Sequence, residues 1–214
     1  MLSLTALPLA IVALIFQTAP PSIVKPGAPG QPSTTLSAPP PSPAPKHTAA
    51  DTKFMQGMIH HHAQAIEMVE LLKTRTTRKD MQLLGKKIEV SQNDEIKMMK
   101  NWLKDRGEDV PMDHGGGQMM LMGAGGGMMA PMPGMLTEKQ MAALAAAKGP
   151  AFDKLFLEGM IQHHIGALTM VEELFGTPGA GQESIIFDFA SHVDADQRMD
   201  ISRMRAMLQT KDKK

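Results

Sequence analysis

Cysteine is absent from all 214 residues. That excludes disulfides, thiolate-held zinc, iron–sulfur clusters and a lipid-anchored N-terminal cysteine. Tyrosine is absent as well, and aromatics make up only 4% of the chain, too few for a base-stacking platform. Neither sign of charge is in surplus: Lys+Arg and Asp+Glu both number 22, so no overall field draws the chain to nucleic acid or to an anionic membrane surface. No Glu has a His three residues later, which removes the pattern of a di-iron carboxylate bundle. There is no Gly-rich phosphate loop and no His-Glu-x-x-His protease helix either.

Long apolar runs are also missing. The longest, residues 2–16, is too short to span a bilayer comfortably but has the length of a signal-peptide core. Export is therefore expected, with residues 1–19 as signal peptide. No Lys or Arg precedes the run and Pro20-Pro21 follow it, so the alternative is an uncleaved anchor that tethers the chain to a membrane. Residues 20–50 are rich in Pro, Ser and Ala, a composition that buries no core and favours an extended linker.

What the chain has in excess is methionine, 21 residues, together with one phrase written twice. Phe54-Met-Gln-Gly-Met58-Ile-His60-His61-His62 returns as Phe156-Leu-Glu-Gly-Met160-Ile-Gln162-His163-His164. Both copies continue through Ala65/Ala167, Met68/Met170, Val69/Val171, Glu70/Glu172 and Leu72/Leu174. On a helix, residues three and four apart share a face. Met58 therefore neighbours His61 and His62, and Met160 neighbours His163 and His164. One thioether and two imidazoles on one patch suit a soft metal such as Cu(I).

The repeat extends into a following helix in each case: Gln92, Glu95-Ile96, Met99 and Leu103 match Gln197, Asp200-Ile201, Met204 and Leu208. The unit is a helical hairpin present twice, and two hairpins that must cover each other's apolar stripes form an all-α four-helix bundle over residues 51–210. Helices are expected from Asp51 as N-cap to about Thr74, from a capping box at Thr77–Asp80 to Arg106, from about Pro150 to Phe175, and from about Gln182 to Gln209. A short helix starts at the Thr137–Gln140 capping box. The loop between the hairpins, residues 107–136, is Gly- and Met-rich, and its length permits either an up-down-up-down bundle or a ferritin-like crossover.

The stripe Phe54, Met58, His61, Ala65, Met68, Leu72 repeats as Phe156, Met160, His163, Ala167, Met170, Leu174, with the spacing of a bundle seam. His61 and His163 should face the interior, with His62 and His164 on its shoulder. His60, opposite Gln162 in the repeat, reads as solvated; Glu70 and Glu172 read as surface carboxylates, Glu70 pairing with Lys73. A lone inward histidine is ordinarily a satisfied core residue, and methionines on a stripe ordinarily pack. That reading is open for Met68, Met170, Met99 and Met204, of which Met68 and Met170 are also candidate ligands. It fits the two Met-x-x-His-His patches poorly, because unsatisfied buried imidazoles cost about 1–3 kcal/mol each and a metal would satisfy them. In the loop, Met119, Met120, Met122, Met128 and Met129 put thioethers on Gly-rich backbone where several could wrap one Cu(I). The competing reading is a tether whose methionines meet an apolar partner.

These residues resemble the CopM-like family of exported Met/His-rich copper-binding proteins. The likeness rests on the repeated Phe-x-x-Gly-Met-Ile-x-His-His motif, its Gln-x-x-(Glu/Asp)-Ile partner motif, and Met132-Pro-Gly-Met135-Leu-Thr137 before the third long helix. It covers about residues 51–208. The resemblance implies a ferritin-like four-helix domain, long catalogued as of unknown function, that binds Cu(I), and Cu(II) or Ag(I), in copper tolerance. The expected role is sequestration, or transfer to a partner protein, without catalysis. Two alternatives stand beside it: a redox-active bundle that oxidises Cu(I) or handles peroxide, and a metal-free interaction module built on the loop.

Overall fold

The computed structural model describes residues 23–25, 27–36, 44–111 and 132–209. They belong to two units that divide after Pro43. In the first, β1 (Ile23–Lys25) and β2 (Thr34–Leu36) pair antiparallel, with Ile23 opposite Leu36 and Lys25 opposite Thr34. The turn between them uses Pro29 and then Gly30 at φ 85°, and Gln31 N donates to Ala28 O at 2.8 Å. Pro followed by a positive-φ Gly is the chemistry of a type II turn. A short hairpin thus lies inside the stretch whose composition reads as extended linker.

The second unit is helical: α1 (Ala49–Arg75), α2 (Lys79–Asp105), α3 (Glu138–Ala146), α4 (Gly149–Gly176) and α5 (Ser184–Gln209). Helix α1 starts earlier than expected. Thr48 is its N-cap and Asp51 is the third helical residue, each side chain bonding the other's backbone N–H. Asp51 also accepts from Gly181 N at 2.7 Å, which explains why this carboxylate is buried at a helix start. The box expected at Thr77–Asp80 does not form: Arg78 caps α2 without a side-chain bond. The box at Thr137 and Gln140 does form, and Pro150 occupies the first turn of α4, where its missing N–H costs nothing.

The order of the helices follows from two glycines. A Cβ on Gly57 in α1 would stand 3.3 Å from Met170 Cε in α4, and one on Gly159 in α4 would stand 3.3 Å from Met68 Cε in α1. The early part of each helix thus lies against the late part of the other, so α1 and α4 are antiparallel. With each hairpin also antiparallel, α2 and α4 run the same way, and the connection between them is the single long crossover of a ferritin-like bundle.

The interior is two apolar clusters. One contains Phe54, Met58, Met99, Met170 and Val193; the other contains Ala65, Met68, Phe156, Met160 and Met204. Each is the repeat image of the other, and the histidines stand between them. At one end of the bundle Trp102 Nε1 and Arg106 both donate to Glu183, at 3.0 and 2.7 Å, which ties α2 to the start of α5. Among the described residues no helix is long and apolar enough to cross a membrane. The expected signal or anchor at 1–19 lies outside the described residues, as do Met119, Met120, Met122, Met128 and Met129.

Candidate metal centre

The two Met-x-x-His-His patches meet. His61 and His163 have ring centroids 3.8 Å apart, with His62 6.4 Å from His61 and His164 6.2 Å from His163. All four rings are fully buried, as are Met58 and Met160. The shoulder position expected for His62 and His164 is therefore corrected: the partner helix of each hairpin closes over them. His60 is corrected too, being 6% exposed rather than solvated. Lys73 does pair with Glu70, at 2.5 Å on the surface.

Three of the four rings are held by one nitrogen. His163 donates from Nε2 to His61 O at 2.8 Å, and His61 donates from Nε2 to Pro133 O at 3.0 Å. His62 Nε2 is 2.5 Å from Glu95 Oε2, while His164 Nε2 is 3.7 Å from Asp200 Oδ2, an ion-pair distance too long for a hydrogen bond. Carbonyl and carboxylate oxygens can only accept, so the Nε2 atoms of His61, His62 and His163 carry the protons. The lone pairs are left on Nδ1, and Nδ1 is buried without a hydrogen-bond partner in all four rings. Unpartnered buried ring nitrogens are exceptions among native polar groups, and here they fall together in one layer.

Burial also favours the neutral form of His61, His163 and His164. It lowers His61 to about 3, with the neighbouring His62 acting in the same direction and the Pro133 bond opposing. Burial pushes His163 well below the usual histidine value, and His61 and His164 add to the effect. His164 is lowered as well, burial outweighing the attraction of Asp200. For Glu95 and Asp200 burial raises the pKa, but the bonds from His62 and Ser91 to Glu95, and the bond from Lys87 with the nearby His164 at Asp200, outweigh it, so both carboxylates sit below their ordinary range. A neutral imidazole whose other nitrogen donates to a carbonyl or carboxylate oxygen is the form in which histidine binds metals.

Glu95 and Asp200 were visible in the sequence as equivalent positions of the repeat, but nothing there assigned them a role. Gln92 and Gln197, one turn earlier on α2 and α5, are also equivalent to each other; both are buried with Oε1 unpartnered. Met170 shares a cluster with Met58, and Met68 with Met160, so each patch gains a thioether from the opposite helix. Among the described residues no three His, Asp or Glu groups are spaced to hold a metal ion. Further donors in the same layer are the thioethers and the unpartnered Gln92 and Gln197 oxygens.

The fold and this layer define a class: a bundle of two repeated hairpins with soft donors buried where they cross. The chain belongs to the DUF305 family, a domain of unknown function, which it matches over residues 51–208. It is similar to a DUF305 fragment from Deinococcus radiodurans, at 24% identity and TM-score 0.64, over 78% of this chain and 99% of that one. A DUF305 protein of Streptomyces coelicolor, classed as secreted, is 27% identical with TM-score 0.61, over 75% of this chain and 93% of that one. CopM in its Cu(I)-bound form is 25% identical with TM-score 0.56, over 75% of this chain and 96% of CopM. CopM also has Cu(II)-bound and Ag-bound structures. No curated protein matches the chain.

Proposed function

We propose that this chain is an exported copper-binding protein that holds Cu(I) in the buried Met/His layer, accepts Ag(I) and Cu(II), and contributes to copper tolerance by sequestration or transfer. The observation that carries the reading is the set of four buried, unpartnered Nδ1 atoms at His61, His62, His163 and His164, in the same layer as the buried Met58 and Met160. Thioether plus imidazole is a soft donor set, and the likeness to copper-bound CopM supports the same choice of metal. Export is supported by the signal-like apolar run at residues 2–16 and by the secreted relative.

On this reading the protein is a binder rather than an enzyme. Release occurs by ligand exchange, with the methionines of the loop from Met119 to Met129 meeting the ion first and a partner protein receiving it. The test is a Cu(I) titration against a competing chelator. The chain should bind tightly, and the quadruple His61/His62/His163/His164→Ala variant should not. Equal competition by both proteins would move binding out of the bundle, and none by either would end the copper reading. Oxygen consumption by the Cu(I)-loaded protein should equal that of buffer, and turnover would make it an oxidase.

A further inference from the structure

The repeat is not exact beside the histidines, and two of its breaks meet the same stretch of chain. Residue 60 is His where 162 is Gln, and residue 64 is Gln where 166 is Gly. Gln64 clasps Leu136, accepting from its N–H at 2.7 Å and donating to its carbonyl at 2.9 Å. Gln162 donates to Gly134 O and Met135 O at 3.2 and 3.3 Å. Gly166 lies so close that a Cβ there would stand 2.0 Å from Pro133 O. Residues 132–136 are thus a strap across α1 and α4, seated by the positions at which the two copies differ.

The strap makes the two halves of the layer chemically unequal. Beside Gly57, the space a Cβ would fill is bounded by Met170 Cε at 3.3 Å and Met132 Sδ at 3.6 Å. Beside Gly159, its repeat counterpart, the neighbours are Met68 Cε at 3.3 Å and Leu136 Cδ2 at 3.0 Å. One side receives a thioether from the strap and the other receives hydrocarbon. Met132 packs, partly buried, against the cluster that contains Met58 and Met170. The next residue, Pro133, supplies the carbonyl that accepts from His61 Nε2–H and leaves the Nδ1 lone pair available.

We propose that Met132 is a further ligand for a soft monovalent cation, so that the two halves bind Cu(I) or Ag(I) in sequence rather than equally. Met58, Met170, Met132 and His61 form the tighter half, and Met160, Met68 and His163 form the weaker. An additional thioether raises the affinity of a soft-ligand site. Met132 is the partly buried member of its set, so within that half it is the donor that an incoming ion reaches before Met58 and Met170. The inference rests on the copper reading of the centre and adds to it an order of filling and a ligand that the repeat does not contain.

The experiment is an Ag(I) titration of the full chain labelled with [methyl-13C]methionine and 15N-histidine, followed by NMR. The Met132 methyl, identified through its contacts to Gly57 and by its loss in Met132→Leu, should shift within the first equivalent together with Met58 and the His61 ring. Met160 and His163 should follow in the second. Met132→Leu should weaken the first step by about tenfold or more and leave the second alone. A Met132 signal that stays still while Met58 and His61 move overturns the proposal and leaves the copper centre intact. Simultaneous movement of both halves overturns the order of filling. If no methionine or histidine signal moves, both the proposal and the copper reading fail. The unsubstituted chain reports on Met132 directly, so a folding defect in the variant does not mask the result.

Discussion

His163 donates its Nε2 proton to the main-chain oxygen of His61 at 2.8 Å, and the two rings stand 3.8 Å apart. One copy of the repeat thereby sets the tautomer of the other. The bond runs one way only, since His61 turns instead to Pro133. Sequence repetition is twofold here, whereas the polar layer it builds is asymmetric.

Acid should destabilise the protein through this layer. Above about pH 6.5, the ordinary histidine value, the His61, His163 and His164 rings are neutral in both folded and unfolded chains and stability is at its full value. As pH falls below that, the unfolded chain takes up protons that the folded one refuses, until pH reaches the folded value, about 3 for His61. Each such histidine should contribute a slope of about 1.4 kcal/mol per pH unit. His163 and His164 act in the same direction, and Glu95 and Asp200, whose folded values are depressed, add a loss of the same sign at lower pH. Urea unfolding at pH 7, 6, 5 and 4 measures it; constant stability from 7 to 5 would mean that the rings are solvated.

Glu95→Ala should lower Cu(I) affinity by roughly 10–100-fold, the usual weight of a group that orients a metal-binding histidine. It should also cost about 1–3 kcal/mol of stability, because the His62 Nε2–H is left buried and unpaired. Asp200→Ala should have a smaller effect on binding, since its oxygen stands 3.7 Å from His164 against 2.5 Å for Glu95 and His62. Chelator competition and urea unfolding on the two variants check the order, and equal losses would contradict it.

Gly166→Ala should lift the strap. Its new methyl would meet Pro133 O, a backbone atom, at 2.0 Å, so the chain rather than a side chain must move. The Leu136 N–H, protected by Gln64, should then exchange with deuterium faster, while amides in the middle of α2 keep their rates. Unchanged Leu136 protection would show that the strap tolerates the methyl.

Glu183→Ala should free the α2 end of the bundle. The Trp102 indole N–H and the Arg106 guanidinium lose their shared acceptor, at a cost of about 1–3 kcal/mol. Trp102 is the single tryptophan, so its fluorescence should shift to the red as water reaches the ring. Unchanged emission and urea midpoint would mean that the contact contributes nothing.

The stripes were legible because the bundle period is local. Phe54 to Leu72 and Phe156 to Leu174 take steps of three and four residues, and helical geometry turns that directly into a buried face. The capping box at Thr137 and Gln140 was readable for the same reason. The start of α1 was misplaced by three residues because Thr48 and Asp51 are both capping residue types. Only the backbone shows that Thr48 is extended while Asp51 is already helical.

By itself, the sequence determined the helical hairpins, their duplication, and the residue types at the centre, since these depend on periodicity and composition. Tertiary structure alone decided that α1 and α4 run antiparallel, which brings His61 against His163 and merges two patches into one layer. It also decided the burial of His62 and His164, the pairing of each with Glu95 or Asp200 on a partner helix, and the placing of Met132 beside Gly57. The physical reason is that spacing along a helix specifies a face but not what packs against it. A carboxylate 33 residues from His62, or a sulfur reaching α1 from the strap, reaches the site only through the path of the folded chain.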